Sequence, residues 1–539
     1  MSDQQRPRED SRRDAAGRQR NRGRSGPKQH SRSAPSQRAR RADPARLTAF
    51  RVLRAVSRDD AYANLTLPAE IRRARLNRRD ASFATELTYG ALRAQGTYDA
   101  IIEASIDRRL KDLDFPVLDV LRLGAHQLLS MRVEDHAAVS ETVALVRQEI
   151  GAGPSGFVNA VLRRIAEHSW DEWVERLLAD SPQDSAAADR ALGLQYAHPR
   201  WVVRALRQAL RLAGRTHAED PSGAQEELLQ MLASDNAAPE VHLVGLPGIG
   251  EQRVEEACTA GAQRSALVED AAVFRGGDVG RLSGVREGEL RVQDIGSQWI
   301  ARALAAAFTP ETVDPDVAGE RWLDLCAGPG GKAALLGALA ADHQAHLVAN
   351  EPAEHRAELV RQALSVLPGE SYQVRVGDGR TIGATIGEEP DGAAEAGLFD
   401  RILVDAPCTG LGALRRRPES RWRRSVKDLG ELTVLQEQLL DAAVGVLAPG
   451  GLLAYVTCSP HPAETVAQVE DVQRRHPQLQ LLDAHEAMAA VATAEGAELM
   501  QPAVGSPSTV QLWPHVHGTD AMFFALLYRP HDPQPRNNP

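Results

Sequence analysis

The feature that most constrains the fold is a change of pattern near residue 300, after which short apolar runs alternate with helical segments. The runs that read as strands cover residues 321–325, 346–351, 372–377, 400–405, 451–457 and 522–528. Such alternation predicts a mostly parallel, doubly wound α/β sheet. Ligands of these sheets bind at the carboxyl ends of the strands. The residues that follow each strand are therefore the first candidates for a functional site.

The rest of the chain divides into regions of different pattern. Its 539 residues suffice for three or four domains of about 150 residues each. Between residues 43 and 170, apolar side chains recur at helical spacing, which predicts an all-α bundle. Residues 171–300 read as a small mixed α/β linker domain with a helix over 201–212, and residues 301–531 contain the predicted sheet.

The charge distribution sets the N-terminus apart. The first 42 residues contain 13 Lys and Arg but only four Asp and Glu, although the whole chain has a net charge of −10. Because so polar a segment cannot bury enough surface to offset its ordering entropy, we predict a disordered basic tail over 1–42, and a short tail over 532–539. A basic arm suits a polyanionic partner, and a purely solubilising role is the alternative.

Composition excludes several classes of protein. No apolar run approaches the ~18 residues of a membrane span, and the N-terminus lacks the apolar core of a secretory signal, so we expect no membrane association. Four cysteines in 539 residues are too few for a disulfide scaffold. We therefore expect a cytoplasmic protein whose cysteines remain thiols.

A glycine-rich loop follows the first predicted strand and leads into an Ala- and Leu-rich helix. It consists of Cys326, Ala327, Gly328, Pro329, Gly330, Gly331 and Lys332. Glycines let the backbone approach a ligand closely, and the helix N-terminus supplies free N–H groups. Glu351 ends the second predicted strand and can accept hydrogen bonds from a ribose diol. The loop lacks P-loop spacing, so the combination favours a nucleoside-containing cofactor other than a triphosphate.

Three further strand ends carry reactive or polar side chains. Asp378 follows the third strand, where it could bond an adenine amino group or cap a turn. Asp405 ends the fourth strand with Cys408 three residues later, and Cys458 follows the fifth. A single buried cysteine is usually a core residue, but two at successive strand ends favour thiol chemistry. Zinc would need further ligand pairs, so we expect no metal.

An arginine-rich segment, residues 414–425, follows the loop that carries Cys408. It holds six arginines around Trp422. A guanidinium suits phosphates, and an indole can stack on a base. Such charge runs are usually solvated surfaces, but this position favours contact with the substrate.

The motifs DLCAGPGGK, VGDGR, DAPCTGLGALRRRPESRW and YVTCSPHPAE resemble those of the RNA cytosine-5 methyltransferases of the Sun/NOL1/NOP2 (RsmB-like) family. The helical region resembles the NusB-like RNA-binding domain that lies at the N-terminus of members of the RsmB branch. The resemblance rests on the stretches NRRDASFATELTYGALR, VLDVLRLGAHQLL, HAAVSETVALV and GFVNAVLRRI. The resemblance covers roughly residues 43–530, although 171–290 match poorly. It implies a Rossmann-like methyltransferase domain behind a helical RNA-binding domain.

The resemblance also implies a role for each site residue. S-adenosylmethionine would be bound by the loop from Cys326 to Lys332, with Glu351 at the ribose and Asp378 near the adenine. Cys458 would be the nucleophile that adds to cytosine C6, and Cys408 the helper thiol for product release. Asp405 would bind the ring near N3 and would also take part in binding the cofactor. A free thiol is only a few per cent ionised at neutral pH, and the sequence does not show what lowers the pKa of Cys458.

The implied partner is RNA, with small-subunit (16S) ribosomal RNA the first candidate, and a monomer is expected. Three alternatives remain open. The enzyme could act on tRNA. It could be a DNA cytosine methyltransferase, in which the nucleophile would be Cys408 of the Pro-Cys pair. It could also be a non-catalytic RNA-binding assembly factor, although both cysteines are intact.

Overall fold

The computed structural model describes residues 41–216, 219–307, 319–386, 398–501 and 508–531. The predicted tails at 1–42 and 532–539 lie outside these residues, except for Arg41 and Ala42. The described residues from Ala42 onward form one compact unit. Within them, no helix combines the length and the apolar character needed to cross a membrane.

The N-terminal part is all helical, as the spacing of its apolar residues predicts. We call α1–α8 the helical region. Its helices are α1 (Pro44–Asp59), α2 (Ala63–Ala74), α3 (Arg78–Arg93), α4 (Gln95–Ala104), α5 (Phe115–Leu129), α6 (Asp135–Glu149), α7 (Ser155–Ile165) and α8 (Trp170–Ala179). Tyr98, Leu121 and Val158 are fully buried in their shared core. Asp43 starts α1 by accepting a hydrogen bond from the backbone N–H of Arg46 at 2.9 Å, which satisfies a free donor of the first turn.

The middle region combines helices with a small antiparallel sheet, which agrees with the predicted mixed α/β linker. Its elements are α9 (Ala187–Gln195), α10 (Arg200–Leu212), α11 (Pro221–Asn236), β1 (Val241–Gly245), α12 (Glu251–Thr259), β2 (Gln263–Arg264), β3 (Ala271–Phe274), α13 (Ser283–Glu287) and β4 (Leu290–Val292). The strands pair in the order β2-β3-β1-β4. The helix predicted over 201–212 is α10. It packs its apolar face against the sheet region described next.

The C-terminal part, which we call the sheet region, contains the predicted large sheet. Its helices are α14 (Ile295–Ala306), α15 (Gly331–Asp342), α16 (Glu354–Leu364), α17 (Ile382–Ile386), α18 (Ser420–Arg423), α19 (Val426–Gly445), α20 (Val466–Arg475), α21 (Ala484–Ala489), α22 (Ala494–Leu499) and α23 (Pro514–His517). Its strands are β5 (Arg321–Asp324), β6 (His346–Glu351), β7 (Tyr372–Val376), β8 (Phe399–Asp405), β9 (Leu447–Thr457), β10 (Gln480–Leu481), β11 (Val510–Gln511) and β12 (Phe523–Tyr528).

The strand order brings the candidate residues together. The sheet runs β10-β12-β9-β8-β5-β6-β7, with β11 paired to β12. The pairs among β5 to β9 are parallel, and β12 joins β9 antiparallel. The order reverses between β5 and β8, so the loops after these strands open a crevice at their carboxyl ends. Asp324 pairs with Leu403, and Asp405 pairs with Val456, so the ends of β5, β8 and β9 lie side by side.

Candidate active site

The glycine loop passes tightly against the end of β6. The N–H of Gly328 donates to Oε2 of Glu351 at 3.1 Å. A Cβ atom at Gly328 would lie 2.1 Å from that oxygen, so a side chain there would collide with it. Gly330 has a φ of 106°, a conformation that residues with side chains rarely adopt. Both glycines are therefore required by the path of the loop into α15.

Glu351 lies at the base of this loop, as the sequence predicts. Its side chain is 2% exposed. Oε1 accepts a hydrogen bond from the N–H of Ala353 at 3.1 Å and faces Arg356 at 3.4 Å. Because each carboxylate oxygen can accept more than one hydrogen bond, Glu351 still has acceptor capacity for a hydroxyl in the crevice.

Asp378 caps a turn, one of the two roles that the sequence allows. Its carboxylate accepts a hydrogen bond from the N–H of Arg380 at 3.0 Å and pairs with the guanidinium of the same residue at 2.6 Å. The hydrogen bonds from Arg380 lower the pKa of Asp378. The side chain is exposed at the rim of the crevice, so a contact with adenine stays a prediction.

Asp324 is a buried acid that the sequence analysis did not single out. It ends β5 and is 1% exposed. Oδ1 accepts a long hydrogen bond of 3.3 Å from the N–H of Cys326, and Oδ2 has no partner within the described part of the chain. Burial, followed by the nearby charge of Asp405, raises the pKa of Asp324 to about 7. At neutral pH, this carboxyl therefore keeps much of its proton.

The raised pKa of Asp324 predicts a pH dependence of stability. Between pH 5 and pH 7 the folded protein retains a proton that the unfolded chain has lost, so the free energy of unfolding should fall as pH rises. The Asp324→Asn variant lacks this titrating group. Its free energy of unfolding, measured relative to that of wild type, should therefore increase by about 2 kcal/mol as the pH is raised from 5 to 7. Urea unfolding of both proteins at each pH measures the difference, and parallel stability curves would contradict the prediction.

The side chain of Lys332 contacts the end of β8. Its Nζ donates to Oδ2 of Asp405 at 2.8 Å. Burial lowers the pKa of Lys332, but the attraction of Asp405 outweighs it, and the pKa is raised overall. The side chain of Asp405 is 29% exposed, so it stays accessible from the crevice. The loop and the thiol-bearing strand ends are thus joined by a charged pair.

The two predicted catalytic thiols are in direct contact. The Sγ atoms of Cys408 and Cys458 are 3.4 Å apart, and both side chains are half-buried. The hydrogen bond from Cys408 lowers the pKa of Cys458, and the cations Lys332 and Arg417 add to this effect. The same hydrogen bond, together with burial, raises the pKa of Cys408. The pair therefore favours ionisation of Cys458 over ionisation of Cys408.

The third thiol near the crevice has the opposite character. Burial raises the pKa of Cys326 well above its usual value, and the carboxylates of Asp324 and Asp405 add to the rise. A neutral thiol is a poor nucleophile. Cys326 is therefore not a candidate nucleophile, and its part in binding the cofactor stays a prediction.

A buried glutamate links the two cysteine loops, and the sequence analysis quoted it without giving it a role. Glu464 is fully buried and accepts hydrogen bonds from both the N–H and the hydroxyl of Thr409, the latter at 2.5 Å. Its backbone carbonyl accepts from the hydroxyl of Tyr455 at 2.8 Å. The N–H of Gly412 also donates to the carbonyl of Cys458 at 2.8 Å. These bonds fix the relative position of the two thiols.

The arginine-rich segment, residues 414–425, binds mostly protein rather than facing solvent. Arg415 and Arg416 approach Asp520, and Arg416 also donates to Asp294 at 2.6 Å. Arg421 is fully buried. The indole of Trp422 donates to the carbonyl of Leu92 in the helical region. These side chains join the three regions of the chain, and contact between this segment and the substrate stays a prediction.

The described residues contain no group of three or more His, Cys, Asp or Glu side chains that could hold a metal ion. The crevice instead presents carboxylates, a thiol pair and a glycine loop. Such a set can bind a cationic nucleoside and carry out thiolate chemistry on a second ligand.

Comparisons with known proteins match both halves of the chain. Residues 312–528 match the family model described as 16S rRNA methyltransferase RsmB/F, and residues 43–167 match the NusB family. A putative methyltransferase of Mycobacterium tuberculosis is 46% identical over 493 residues, which cover 90% of this chain and 97% of the relative. Ribosomal RNA small subunit methyltransferase B of Erwinia tasmaniensis is 30% identical over 455 residues, which cover 84% and 91%.

The chain belongs to the RsmB/F family. As a member of this family, it is an S-adenosylmethionine-dependent methyltransferase, which agrees with the resemblance of its motifs. The solved structure of the protein PH0851 superposes with a TM-score of 0.69 at 20% identity, covering 90% of this chain and 99% of that one, which shows the shared fold. The predicted Rossmann-like domain behind a NusB-like helical bundle is confirmed.

Proposed function

We propose that this RsmB/F protein methylates C5 of a cytosine in small-subunit (16S) ribosomal RNA through a transient covalent bond between Cys458 and C6. The observation that carries the proposal is the thiol pair. Cys458 Sγ lies 3.4 Å from Cys408 Sγ, with cations nearby that favour the thiolate of Cys458. A thiolate at the mouth of a methyltransferase crevice suits covalent activation of a base.

The residues around the glycine loop fit S-adenosylmethionine. Asp324 Oδ2 is buried without a partner among the described residues, and the charge of Asp405 lies nearby. A cationic ligand would favour the ionised form of Asp324. A Cβ atom at Gly331 would meet no atom within 4 Å, so a ligand can approach the backbone closely there. Glu351 can accept hydrogen bonds from a ribose diol. Bound S-adenosylmethionine would supply an electrophilic methyl carbon at the strand ends.

Cytosine must be activated before C5 can accept a methyl group. Cytosine C5 is a poor nucleophile, but addition of the Cys458 thiolate to C6 pushes electron density onto C5. Asp405, held by Lys332 and partly accessible, would bind the ring near N3 and stabilise charge that builds there. After methylation, Cys408 in its ionised form would take the proton from C5. The electrons of that C–H bond re-form the C5–C6 double bond, and those of the bond between Cys458 and C6 return to sulfur, so that Cys458 leaves as a thiolate.

RNA is favoured over DNA by two features. The pKa is lowered at Cys458 and raised at Cys408 of the Pro-Cys sequence, which favours Cys458 as the nucleophile. The N-terminal match is to the NusB family, which the sequence analysis associates with RNA binding. A target base must be unstacked to reach the thiol, so single-stranded or loop RNA is the expected form of the substrate.

Nucleoside analysis tests the proposal directly. The purified protein, incubated with S-adenosylmethionine and unmodified small-subunit ribosomal RNA, should produce 5-methylcytidine detectable by mass spectrometry. Bisulfite sequencing of total RNA from a deletion strain should show the loss of one ribosomal cytosine mark. Loss of a tRNA mark instead would reassign the substrate, and an unchanged set of marks would contradict the proposal.

A further inference from the structure

Helix α10 (Arg200–Leu212) has two opposed faces. Its buried face consists of Val202, Val203, Ala205, Leu206, Ala209 and Leu210. The opposite face carries four arginines, and no acidic residue occurs in the 13 residues of the helix. At 3.6 residues per turn, these arginines fall within a sector of about 60°. We call this set the arginine stripe: Arg200, Arg204, Arg207 and Arg211.

The arginine stripe is only partly neutralised by the protein. Arg207 donates to Asp189 at 2.8 Å. Arg204 and Arg211 are exposed, and within the described ranges neither guanidinium has a hydrogen bond or an ion pair. The chain has a net charge of −10 although its N-terminus is basic. The arginine stripe is therefore a local positive surface on a protein that is acidic overall. A polyanion would approach such a body through local positive surfaces.

The position of α10 connects the stripe to the thiol pair. The buried face of α10 packs against Leu411 and Leu414, and the N–H of Gly412 between them donates to the carbonyl of Cys458. The second half of α10 also lines a cavity of about 120 Å³ together with Pro460, just beyond Cys458. The stripe therefore lies on the outer side of a helix that rests on both cysteine loops, one helix diameter of ~10 Å away.

A second group of exposed arginines lies in the helical region, around the turn from α2 to α3. It consists of Arg72, Arg73, Arg75, Arg78 and Arg79. This turn is at the beginning of α3, whereas Trp422 of the sheet region contacts the other end of α3 at Leu92. At 1.5 Å per residue, the two ends of the helix are ~20 Å apart. This second group therefore lies about the length of α3 away from the contact with Trp422, whereas α10 packs directly on the loop that follows Cys408.

We propose that the arginine stripe binds the phosphate backbone of the RNA strand that flanks the target cytosine. The proposal rests on the proposed function, because it takes RNA as the substrate. Arg204 and Arg211 would contact phosphates directly, while Arg207 stays partly engaged by Asp189. Because phosphate contacts carry no sequence information, the stripe positions the strand and leaves the choice of base to the crevice.

The Arg204→Gln/Arg211→Gln double variant tests the stripe. Its affinity for a small-subunit ribosomal RNA fragment should fall about 10-fold at moderate salt, and the slope of log K against log salt should become shallower by about 1.4, since each lost phosphate contact in a single strand removes about 0.7. The KM for RNA should rise in parallel, while kcat at saturating RNA stays within about twofold. The Arg204→Lys/Arg211→Lys variant keeps the charge and should retain most of the affinity.

The Arg281→Gln/Arg286→Gln variant is the matched control. Both arginines are exposed in the middle region but lie outside α10, so the same change of charge should leave RNA affinity unchanged. Unaltered affinity in the α10 variant, or equal weakening in both variants, would overturn the proposal. A lower kcat at unchanged RNA affinity would also overturn it, because it would indicate a structural role. If the wild type binds RNA but forms no 5-methylcytidine, the proposed function fails while the stripe is still tested by binding.

Discussion

Replacing Cys458 with alanine should lower the rate of methyl transfer by roughly 10⁴-fold or more, because the variant cannot activate cytosine through a covalent bond. Replacing Cys408 with alanine should instead trap the protein on its RNA. That variant keeps the Cys458 nucleophile but loses the thiol 3.4 Å away that would assist release. A denaturing gel would show the trapped adduct as a slowly migrating band, and labelled methyl transfer would measure the rate.

Cys258 provides the matched control for both variants. It is a half-buried thiol in α12, and burial raises its pKa, so Cys258→Ala should behave as wild type in both assays. An adduct formed by Cys458→Ala and lost in Cys408→Ala would assign the nucleophile to Cys408, as in the DNA-type alternative. Full function of both variants in a deletion strain would favour the non-catalytic assembly factor.

Replacing Arg421 with alanine should destabilise the protein by about 3–5 kcal/mol, the largest loss we expect from one side chain outside the crevice. The guanidinium donates to the carbonyl of Ala197 and to Oδ1 of Asn236, both at 2.9 Å, and to the carbonyl of Asp235 at 3.2 Å. Removing the side chain leaves these acceptors buried without partners and opens a cavity. Urea unfolding monitored by tryptophan fluorescence measures the loss.

Arg424→Ala is the comparison for this prediction. Arg424 belongs to the same segment but is half-exposed, so its removal should change the free energy of unfolding by no more than about 0.5 kcal/mol. Equal stabilities of the two variants would mean that the contacts of Arg421 contribute nothing net. In that case, the cost of burying its charge would balance its hydrogen bonds.

The large sheet could be predicted because its central strands are buried on both faces. Such strands appear in the sequence as short apolar runs, and all six predicted runs correspond to strands, with ends that differ by a few residues. The adjacency of Cys408 and Cys458 could also be anticipated, since parallel strands end at the same edge of a sheet. The position of the candidate site, at the carboxyl ends of these strands, could therefore be predicted from the sequence.

The inward turn of residues 414–425 could not be predicted, because the acceptors of its arginines are distant in the chain. Arg421 binds groups 185 and 224 residues away, which no local pattern reveals. A run of arginines has the same composition whether it binds phosphates or carbonyl groups. The buried Asp324 was missed for a related reason: its environment depends on Asp405 and Lys332, which lie on other elements.

The contact between Trp422 and the helical region has a consequence for biosynthesis. The indole donates to the carbonyl of Leu92, a partner made 330 residues earlier. At about 5–20 residues per second, the ribosome adds Trp422 roughly 15–65 s after it has added Leu92. During that interval, the surface of the helical region that contacts Trp422 is open to solvent or to other molecules. A fragment that starts near residue 300 lacks Leu92, so it would leave the indole of Trp422 without this acceptor.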